Sequence, residues 1–181
     1  MNFKELLKPL PIDSIDFRIQ SINNGGYATI LAYKDARVDM QRLDEVVGCT
    51  NWKREHTRDN KNCIVSIWDG EKKQWVSKED VGVESNAEAQ KGLASDSFKR
   101  ACFNWGIGRE LYDYPIISIK LNPEELQETG NQRPKYKASY NLKLSEWKWY
   151  SEFDDNNKLS YLGVKDNNNK LRFQYGKINK K

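Results

Sequence analysis

Two segments decide the fold: Glu79-Asp80-Val81-Gly82-Val83 and, after a short gap, Lys91-Gly92-Leu93-Ala94-Ser95-Asp96-Ser97-Phe98-Lys99-Arg100-Ala101-Cys102-Phe103-Asn104-Trp105-Gly106-Ile107-Gly108. The first segment predicts the end of a strand that carries an acidic pair. The second predicts a helix, because Ala94, Phe98, Ala101 and Trp105 recur at intervals of four, three and four and so form one buried stripe. We expect Asn86 to cap this helix near Ala87, and Gly106 and Gly108 to end it.

The adjacent residues Lys99 and Arg100 lie in the last turns of this helix. Neighbouring helix positions are about 100° apart, so both side chains can flank one groove. Lysine offers phosphate oxygens a point charge, and arginine offers them a planar fork. The alternative is an ordinary solvated pair, with Asp96 one turn earlier placed to contact both. Helical periodicity alone favours this second interpretation.

The composition predicts a folded domain with much polar surface. The chain has 181 residues, of which 38% are hydrophobic and 12% aromatic, and its mean hydropathy is −0.88. No apolar run approaches the ~20 residues that span a bilayer, and the start of the sequence lacks the apolar stretch of a signal peptide. We therefore expect a cytoplasmic protein with no membrane partner.

Charge is distributed unevenly along the chain. The net charge is only +4, but residues 133–181 hold 12 Lys and Arg against 5 Asp and Glu, whereas residues 1–132 hold 18 against 21. A basic C-terminal part suggests a polyanionic partner, although a solubilising tail has the same composition.

The remaining patterns predict an antiparallel α+β fold. Residues 15–22 alternate apolar and polar side chains, and after the turn at residues 23–26 a second strand is expected over residues 27–33. A helix is expected from Asp35 to Gly48, and a three-stranded meander over residues 52–83. The predicted fold is a curled antiparallel sheet, made of the hairpin and the meander, with two helices packed on it.

Three regions are expected along the chain. Residues 1–126 form the core domain, residues 127–135 a linker and residues 136–181 a basic C-terminal segment. Within that segment, residues 159–164 and 171–175 flank a turn rich in asparagine and predict a β-hairpin.

Enzyme motifs are missing from the sequence. There is no Gly-x-x-x-x-Gly-Lys-Ser/Thr phosphate loop, no Gly-x-Ser-x-Gly and no zinc-ligand spacing around the three cysteines and the single histidine, so no cofactor or metal is expected. Asp69, Glu79, Asp80 and Glu84 lie close in sequence and leave a Mg²⁺-dependent nuclease as an alternative. Because Glu79 and Asp80 are neighbours on a strand, their side chains point to opposite faces, which favours solvated carboxylates.

A second basic cluster lies in the first strand and turn of the expected meander. Lys53, Arg54, Arg58 and Lys61 are interleaved with Trp52 and His56, a mixture that suits a single nucleic-acid strand. The alternative is a charged strand–turn–strand surface with Trp52 in the core. The aromatic residues of the C-terminal segment, together with its lysines, leave open a second DNA-facing or protein-facing patch.

Three blocks in order resemble the Rad52-type single-strand annealing proteins. The blocks are Arg37-Val38 through Gly48-Cys49-Thr50-Asn51-Trp52, then Glu79-Asp80-Val81-Gly82-Val83, then Ser95-Asp96-Ser97-Phe98-Lys99-Arg100-Ala101 through Trp105-Gly106 and Leu111-Tyr112-Asp113. They cover roughly residues 33–115. The sequence is most similar to the short phage-encoded recombinases of the Sak type.

The resemblance implies a DNA-binding site and an oligomer. In the family, an arginine at the start of the first helix and a Lys-Arg pair in the long helix line a groove for single-stranded DNA. Those positions are Arg37, Lys99 and Arg100 here. A further family arginine is replaced by Phe103, and an aromatic residue by Cys49. The implied protomer forms a ring or helical oligomer and needs neither nucleotide nor metal.

The resulting hypothesis is a non-enzymatic protein that binds single-stranded DNA and anneals complementary strands in phage recombination or repair. Its expected DNA-binding residues are Arg37, Lys53, Arg54, Lys99, Arg100 and Phe103. Its expected partners are single-stranded DNA, further copies of itself and a single-strand-binding protein. The alternatives are the carboxylate-dependent nuclease and an adaptor that binds replication proteins without catalysis.

Overall fold

The computed structural model describes residues 2–83, 89–130 and 135–177, and within them the chain forms two α-helices and eleven β-strands. The helices are α1 (Ala36–Val47) and α2 (Ala89–Asn104). The strands are β1 (Asp16–Ile22), β2 (Tyr27–Tyr33), β3 (Trp52–Thr57), β4 (Asn62–Asp69), β5 (Gln74–Val81), β6 (Ile117–Lys120), β7 (Leu126–Glu128), β8 (Tyr136–Ala138), β9 (Lys148–Phe153), β10 (Leu159–Lys165) and β11 (Leu171–Gly176). Short 3₁₀ helices cover Phe3–Leu7, Ile12–Ser14, Arg109–Asp113, Pro123–Glu125 and Leu144–Glu146. The predicted α+β class is confirmed.

The chain divides into two compact units, each made of two sequence segments. The first unit comprises Met1–Leu10 and Lys34–Arg109, and the second comprises Pro11–Tyr33 and Glu110–Lys181. The boundaries predicted at residues 126 and 135 do not coincide with this division. The expected linker overlaps a strand pair, because its residues 127 and 128 belong to β7, which pairs with β8.

The first unit is built on the antiparallel meander β3–β4–β5, which α2 covers on one face. Its core joins the buried side chains of β4 to those of the helices: Cys63, Val65, Ile67, Leu43, Val47, Leu93, Phe98, Ala101 and Cys102. Trp105 follows α2 and donates its indole N–H to the Val65 carbonyl at 3.0 Å. Trp52 stacks on Phe98 with ring centroids 6.1 Å apart. The helix thus holds a fixed position on the sheet.

The second unit packs two three-stranded sheets around one core. One sheet has the order β1–β2–β6 and the other β11–β10–β9. Buried apolar residues from both sheets meet in a single cluster that includes Ile30, Ile117, Leu162 and Val164. The hairpin and the meander were expected to share one sheet, but among the described strands they belong to different sheets. The reason is that β2 takes β6, from much later in the chain, as its second neighbour.

Both predicted helices are present, with one position outside the described residues. Helix α1 begins after Asp35, whose carboxylate accepts the Arg37 N–H, and ends at Gly48 with φ +87°. Asn86, the expected cap of α2, lies outside the described residues. Of the helices that the structure describes, neither is long and apolar enough to span a membrane.

Candidate functional site

Helix α2 packs directly on the end of β5, which explains the glycine of the Glu79-Asp80-Val81-Gly82-Val83 motif. A Cβ atom on Gly82 would lie 2.8 Å from both the Leu93 carbonyl oxygen and the Ser97 nitrogen, a distance that real side chains do not tolerate. The Asp96 carboxylate accepts the Val83 N–H at 2.9 Å. Asp96 therefore ties strand to helix, whereas the sequence had suggested it as a partner for Lys99 and Arg100.

The ion-pair partner of Arg100 is Asp80, the acidic residue of the strand motif. Arg100 Nε lies 3.3 Å from Asp80 Oδ1, and the Asn104 side chain donates to Asp80 Oδ2 at 3.2 Å. Arg100 engages the described residues through Nε, and its side chain is 41% exposed. The strand carboxylate thus orients the guanidinium through Nε and leaves the side chain partly exposed.

Lys99 lies close to the first turn of α1. Its charge lowers the pKa of Asp35, behind the larger effect of the Arg37 hydrogen bonds, and it opposes the raised pKa of Asp39. Lys99 is half-buried, and within the described ranges no carboxylate forms a direct ion pair with it. Its charge therefore remains available to an added anion.

Arg37 is exposed at the start of α1. Its Nε donates to Asp35 Oδ1 at 2.8 Å, and 86% of its side chain is accessible. These hydrogen bonds hold the pKa of Asp35 below its usual range. Arg37 and Lys99 are both near Asp35, so the structure brings these two predicted residues together.

A buried ion pair, which the sequence interpretation missed, lies beside these residues. Lys34 Nζ contacts Asp39 Oδ1, and the two side chains are 8% and 0% exposed. Among the described atoms, Asp39 Oδ2 has no hydrogen-bond partner. A Cβ atom on Gly108 (φ +71°) would lie 2.6 Å from Lys34 Cε, so glycine is required where this lysine passes. The available signal was spacing, since Asp39, Leu43 and Val47 form the buried stripe of α1.

We expect Asp39→Asn to remove a specific pH dependence of folding. Burial raises the pKa of Asp39 to about 6 from an ordinary 3.8, against the attraction of Lys34 and Lys99. The folded state therefore keeps this proton to higher pH than the unfolded chain, and the stabilisation that it gives at low pH is lost as the pH rises towards 6. Relative to Asp39→Asn, the wild type should lose about 2 kcal/mol of unfolding free energy between about pH 4 and pH 7.

Urea unfolding at several pH values measures this difference. Glu45→Gln is the matched control, because Glu45 lies exposed on the same helix and pairs with Gln41. This variant keeps the Asp39 carboxylate, so it should keep the loss of stability that Asp39 causes between about pH 4 and pH 7. A constant offset between the wild type and Asp39→Asn would contradict the assignment.

Lys53 and Arg54 point to opposite faces of the meander. Lys53 Nζ lies 4.7 Å from the ring centre of the exposed Trp75, on the face away from α2. Arg54 Cζ lies 4.9 Å from the ring centre of the buried Phe98, on the face towards α2. Of this predicted pair, only Arg54 is on the same side of the sheet as Lys99 and Arg100.

Phe103 lies half-buried in the last turn of α2. The guanidinium of Arg109 is 5.4 Å from its ring centre and donates to its carbonyl oxygen. Position 103 thus has a phenylalanine where an arginine was expected from the resemblance, and Arg109 packs on that phenylalanine. The sequence spacing gave no sign of this contact.

Comparison with known proteins adds the family. A family model described as Rad52/22 family double-strand break repair protein matches residues 3–130. The chain belongs to the Rad52/22 family. Its sequence is 32% identical over 115 residues to the single-stranded DNA-binding protein DdrA of Deinococcus radiodurans. The aligned region covers 62% of this chain and 55% of DdrA. The chain therefore spans about half the length of that curated relative. No solved structure matches it.

The Rad52/22 match confirms the predicted resemblance and extends it beyond residues 33–115. All of the predicted DNA-binding residues lie inside the matched range, and all of them are in the first unit. The matched range ends at residue 130, so the sheet β9–β10–β11 lies outside it.

The carboxylates considered for a metal site have other partners in this Rad52/22 protein. Asp69 Oδ1 accepts the Glu71 and Lys72 N–H groups in the β4–β5 turn. Glu79 accepts the Asn62 amide at 2.6 Å on one face of the sheet, and Asp80 binds Arg100 on the other. Glu84 lies outside the described residues. Over the ranges that the structure covers, no three acidic, histidine or cysteine side chains are grouped as metal ligands.

Proposed function

We propose that this protein binds single-stranded DNA and anneals complementary strands in recombination or repair, without nucleotide or metal. The observation that carries the proposal is the convergence of Arg37 and Lys99 at the first turn of α1, with Arg100 next to Lys99 on α2. Cationic side chains of this kind hold a strand by its phosphates and leave the bases exposed. The family and the DdrA relative support the same class of ligand.

The proposed contacts differ in strength. Lys99 has no direct carboxylate partner among the described residues, and Arg100 contacts Asp80 through Nε with 41% of its side chain exposed, so these two residues should contribute most. Arg37 must exchange its contact with Asp35 for one with DNA. Arg54 is proposed as a secondary contact, and Lys53 and Phe103 as peripheral ones.

Annealing needs no covalent chemistry in this proposal. Several protomers, arranged as a ring or helical filament, hold one strand extended while a complementary strand samples register. We further propose a phage context of the Sak type, in a bacterial cytoplasm, with a single-strand-binding protein as partner. Sedimentation of the purified protein at micromolar concentration tests the oligomer, and a monomer would contradict it.

The experiment that tests the function is fluorescence quenching between two complementary oligonucleotides in EDTA without ATP. Acceleration over the spontaneous rate supports annealing. If strands are cut only when Mg²⁺ is added, the carboxylate nuclease takes its place. If the folded protein neither binds nor anneals DNA, the adaptor interpretation remains.

We expect affinity for single-stranded DNA to fall steeply with salt. Three phosphate contacts per protomer give a slope of about −2 in log K against log salt, or about a 100-fold loss between about 50 and 500 mM. Fluorescence anisotropy with a labelled oligothymidylate measures the slope. Lys99→Ala should make the slope shallower by about 0.7, whereas Lys73→Ala, in the exposed β4–β5 turn, should leave it unchanged. A flat wild-type profile would exclude phosphate contacts as the source of affinity.

A further inference from the structure

The sheet β9–β10–β11 has one buried face and one outer face. Leu162 and Val164 of the central strand β10 lie in the core of the second unit. Because side chains alternate along a strand, Tyr161, Gly163 and Lys165 lie on the other face. Their cross-strand partners on β9 are Glu152, Tyr150 and Lys148, respectively. These six residues define the outer face, on which Tyr161 and Gly163 are buried and Lys148, Tyr150 and Lys165 are exposed.

Two lysines stand directly opposite each other on this outer face. Lys148 and Lys165 are register partners on β9 and β10, and both are exposed. Like charges at directly opposite positions destabilise a sheet. Lys148 Nζ donates to the Asn169 amide oxygen at 3.0 Å, and within the described residues neither lysine forms an ion pair. An anion placed between them would relieve the repulsion.

The nearby acidic residues are engaged by other groups: Glu146, two residues before Lys148, contacts Lys143 at 3.9 Å and accepts the Asn167 amide at 3.0 Å. Asp166 follows Lys165 but is 7% exposed. Its Oδ2 contacts Arg172 at 3.1 Å, and its Oδ1 accepts the Lys170 N–H. The turn therefore directs its carboxylate inwards and leaves the lysine side chains on the surface.

An exposed aromatic ring lies next to the lysine pair. Tyr150 is two residues from Lys148 on the same strand face, a distance of about 7 Å, and is 50% exposed. Its hydroxyl donates to Glu152 at 2.8 Å, and its ring lies 5.9 Å from that of Tyr161. These contacts fix the ring while one part of it stays open to solvent. A π face beside two cations is the combination that binds a single strand through base stacking and phosphate contacts.

We propose that this outer face is a second surface for single-stranded nucleic acid, with Lys148 and Lys165 on phosphate and Tyr150 under a base. The surface belongs to the second unit and lies outside the family match, whereas Arg37, Lys99 and Arg100 belong to the first. The choice of single-stranded nucleic acid as the ligand of this surface rests on the proposed function. Each protomer would then have a second DNA-binding surface that does not use Lys99 and Arg100 of α2.

The test uses the full chain in four forms, with binding measured by anisotropy of a labelled oligothymidylate at low salt. The forms are the wild type, Lys99→Glu/Arg100→Glu, Lys148→Glu/Lys165→Glu and the combination of both pairs. Lys137→Glu/Lys158→Glu is the matched control, because it makes the same charge change at exposed positions off this face. Circular dichroism and thermal melting verify that every variant folds.

The expected result is residual, salt-dependent binding by Lys99→Glu/Arg100→Glu that falls at least about tenfold further when Lys148→Glu/Lys165→Glu is added. If adding Lys148→Glu/Lys165→Glu to the Lys99→Glu/Arg100→Glu protein weakens binding no more than adding the control pair does, while the wild type anneals DNA, this inference is wrong and the proposed function stands. If Lys148→Glu/Lys165→Glu alone removes binding and Lys99→Glu/Arg100→Glu does not, the inference stands and the α2 site is wrong. If the wild type binds no DNA, both are wrong.

The contribution of the Tyr150 ring to binding can be measured separately. Tyr150→Ala in the Lys99→Glu/Arg100→Glu background should weaken oligothymidylate binding about fivefold or more, with no effect on an abasic strand of the same length. Tyr150→Phe keeps the ring and loses the contact with Glu152, so it should bind as tightly as tyrosine. Equal losses on the base-containing and abasic strands would show that the ring does not stack.

Discussion

Lys99→Glu/Arg100→Glu is expected to abolish strand annealing and to lower affinity for a short oligothymidylate by about 1,000-fold or more at low salt. Each substitution removes a phosphate contact and places a negative charge in its position. Arg100→Glu also replaces the ion-pair partner of Asp80, whose Oδ1 lies 3.3 Å from Arg100 Nε in the wild type, with a like charge. Stopped-flow quenching gives the annealing rate, and anisotropy gives the affinity.

Two controls separate loss of the site from loss of the fold. Lys72→Glu/Lys73→Glu makes the same charge change at adjacent exposed lysines of the first unit and should anneal at close to the wild-type rate. Arg100→Lys keeps the charge but not the fork, and should retain most of the binding at low salt. Normal annealing by a folded Lys99→Glu/Arg100→Glu protein would remove these residues from the site.

Arg172→Ala is expected to destabilise the second unit by about 3 kcal/mol. Arg172 is 4% exposed and makes a two-pronged contact with Glu125 at 2.8 and 2.7 Å. It also contacts Asp166 at 3.1 Å and the Lys120 carbonyl at 3.0 Å, and its guanidinium is 4.6 Å from the Trp147 ring centre. Its removal leaves two poorly exposed carboxylates without a counter-charge. Urea unfolding at neutral pH measures the loss.

The pH dependence distinguishes the charge network from lost packing. Burial opposes ionisation of Glu125 and Asp166, but hydrogen bonds from Arg172 and from backbone N–H groups outweigh it and lower the pKa of both. Their stabilisation is present above the ordinary values of 4.5 and 3.8 and is lost as the pH falls through the lowered values. The difference between the wild type and Arg172→Ala should therefore shrink in acid.

A neutral replacement of the whole network is the informative control. Glu125→Gln/Asp166→Asn/Arg172→Met leaves no buried charge and should recover much of the lost stability, since breaking a buried ion pair costs more than replacing it. A loss in Arg172→Ala that is constant with pH would attribute the effect to packing alone.

Local sequence patterns predicted the secondary structure. The features that the sequence analysis missed depend on contacts between residues far apart in the chain. Period-two alternation and glycine-containing turns located the β1–β2 hairpin and the meander, because these pairings join neighbours in sequence. The partner of Arg100 was assigned to Asp96 by helical spacing, but the observed partner is Asp80 on a strand about 20 residues earlier. Likewise, no local signal showed that β6 would pair with β2.

A stricter use of periodicity would have predicted more of the candidate site correctly. Strand alternation alone separates Lys53 from Arg54, as it separated Glu79 from Asp80. Helical spacing places Asp39 with Leu43 and Val47 on the buried stripe of α1, where a carboxylate demands a partner. That Lys34 is this partner depends on how the chain enters α1 after β2, which no spacing rule gives.

Each unit is made of two separate segments of the sequence, and this affects how the chain folds during its synthesis. Ile30 of β2 pairs with Ile117 of β6, so the first sheet of the second unit cannot close until the intervening residues have left the ribosome. Pairings across so long a separation form slowly, and an incomplete chain exposes the open edge of β2 in the meantime. A fragment that stops before residue 117 lacks that partner strand, and one that stops at residue 130 lacks Leu162 and Val164 from the core. Production of the intact chain should therefore depend on chaperone capacity more than its modest length suggests.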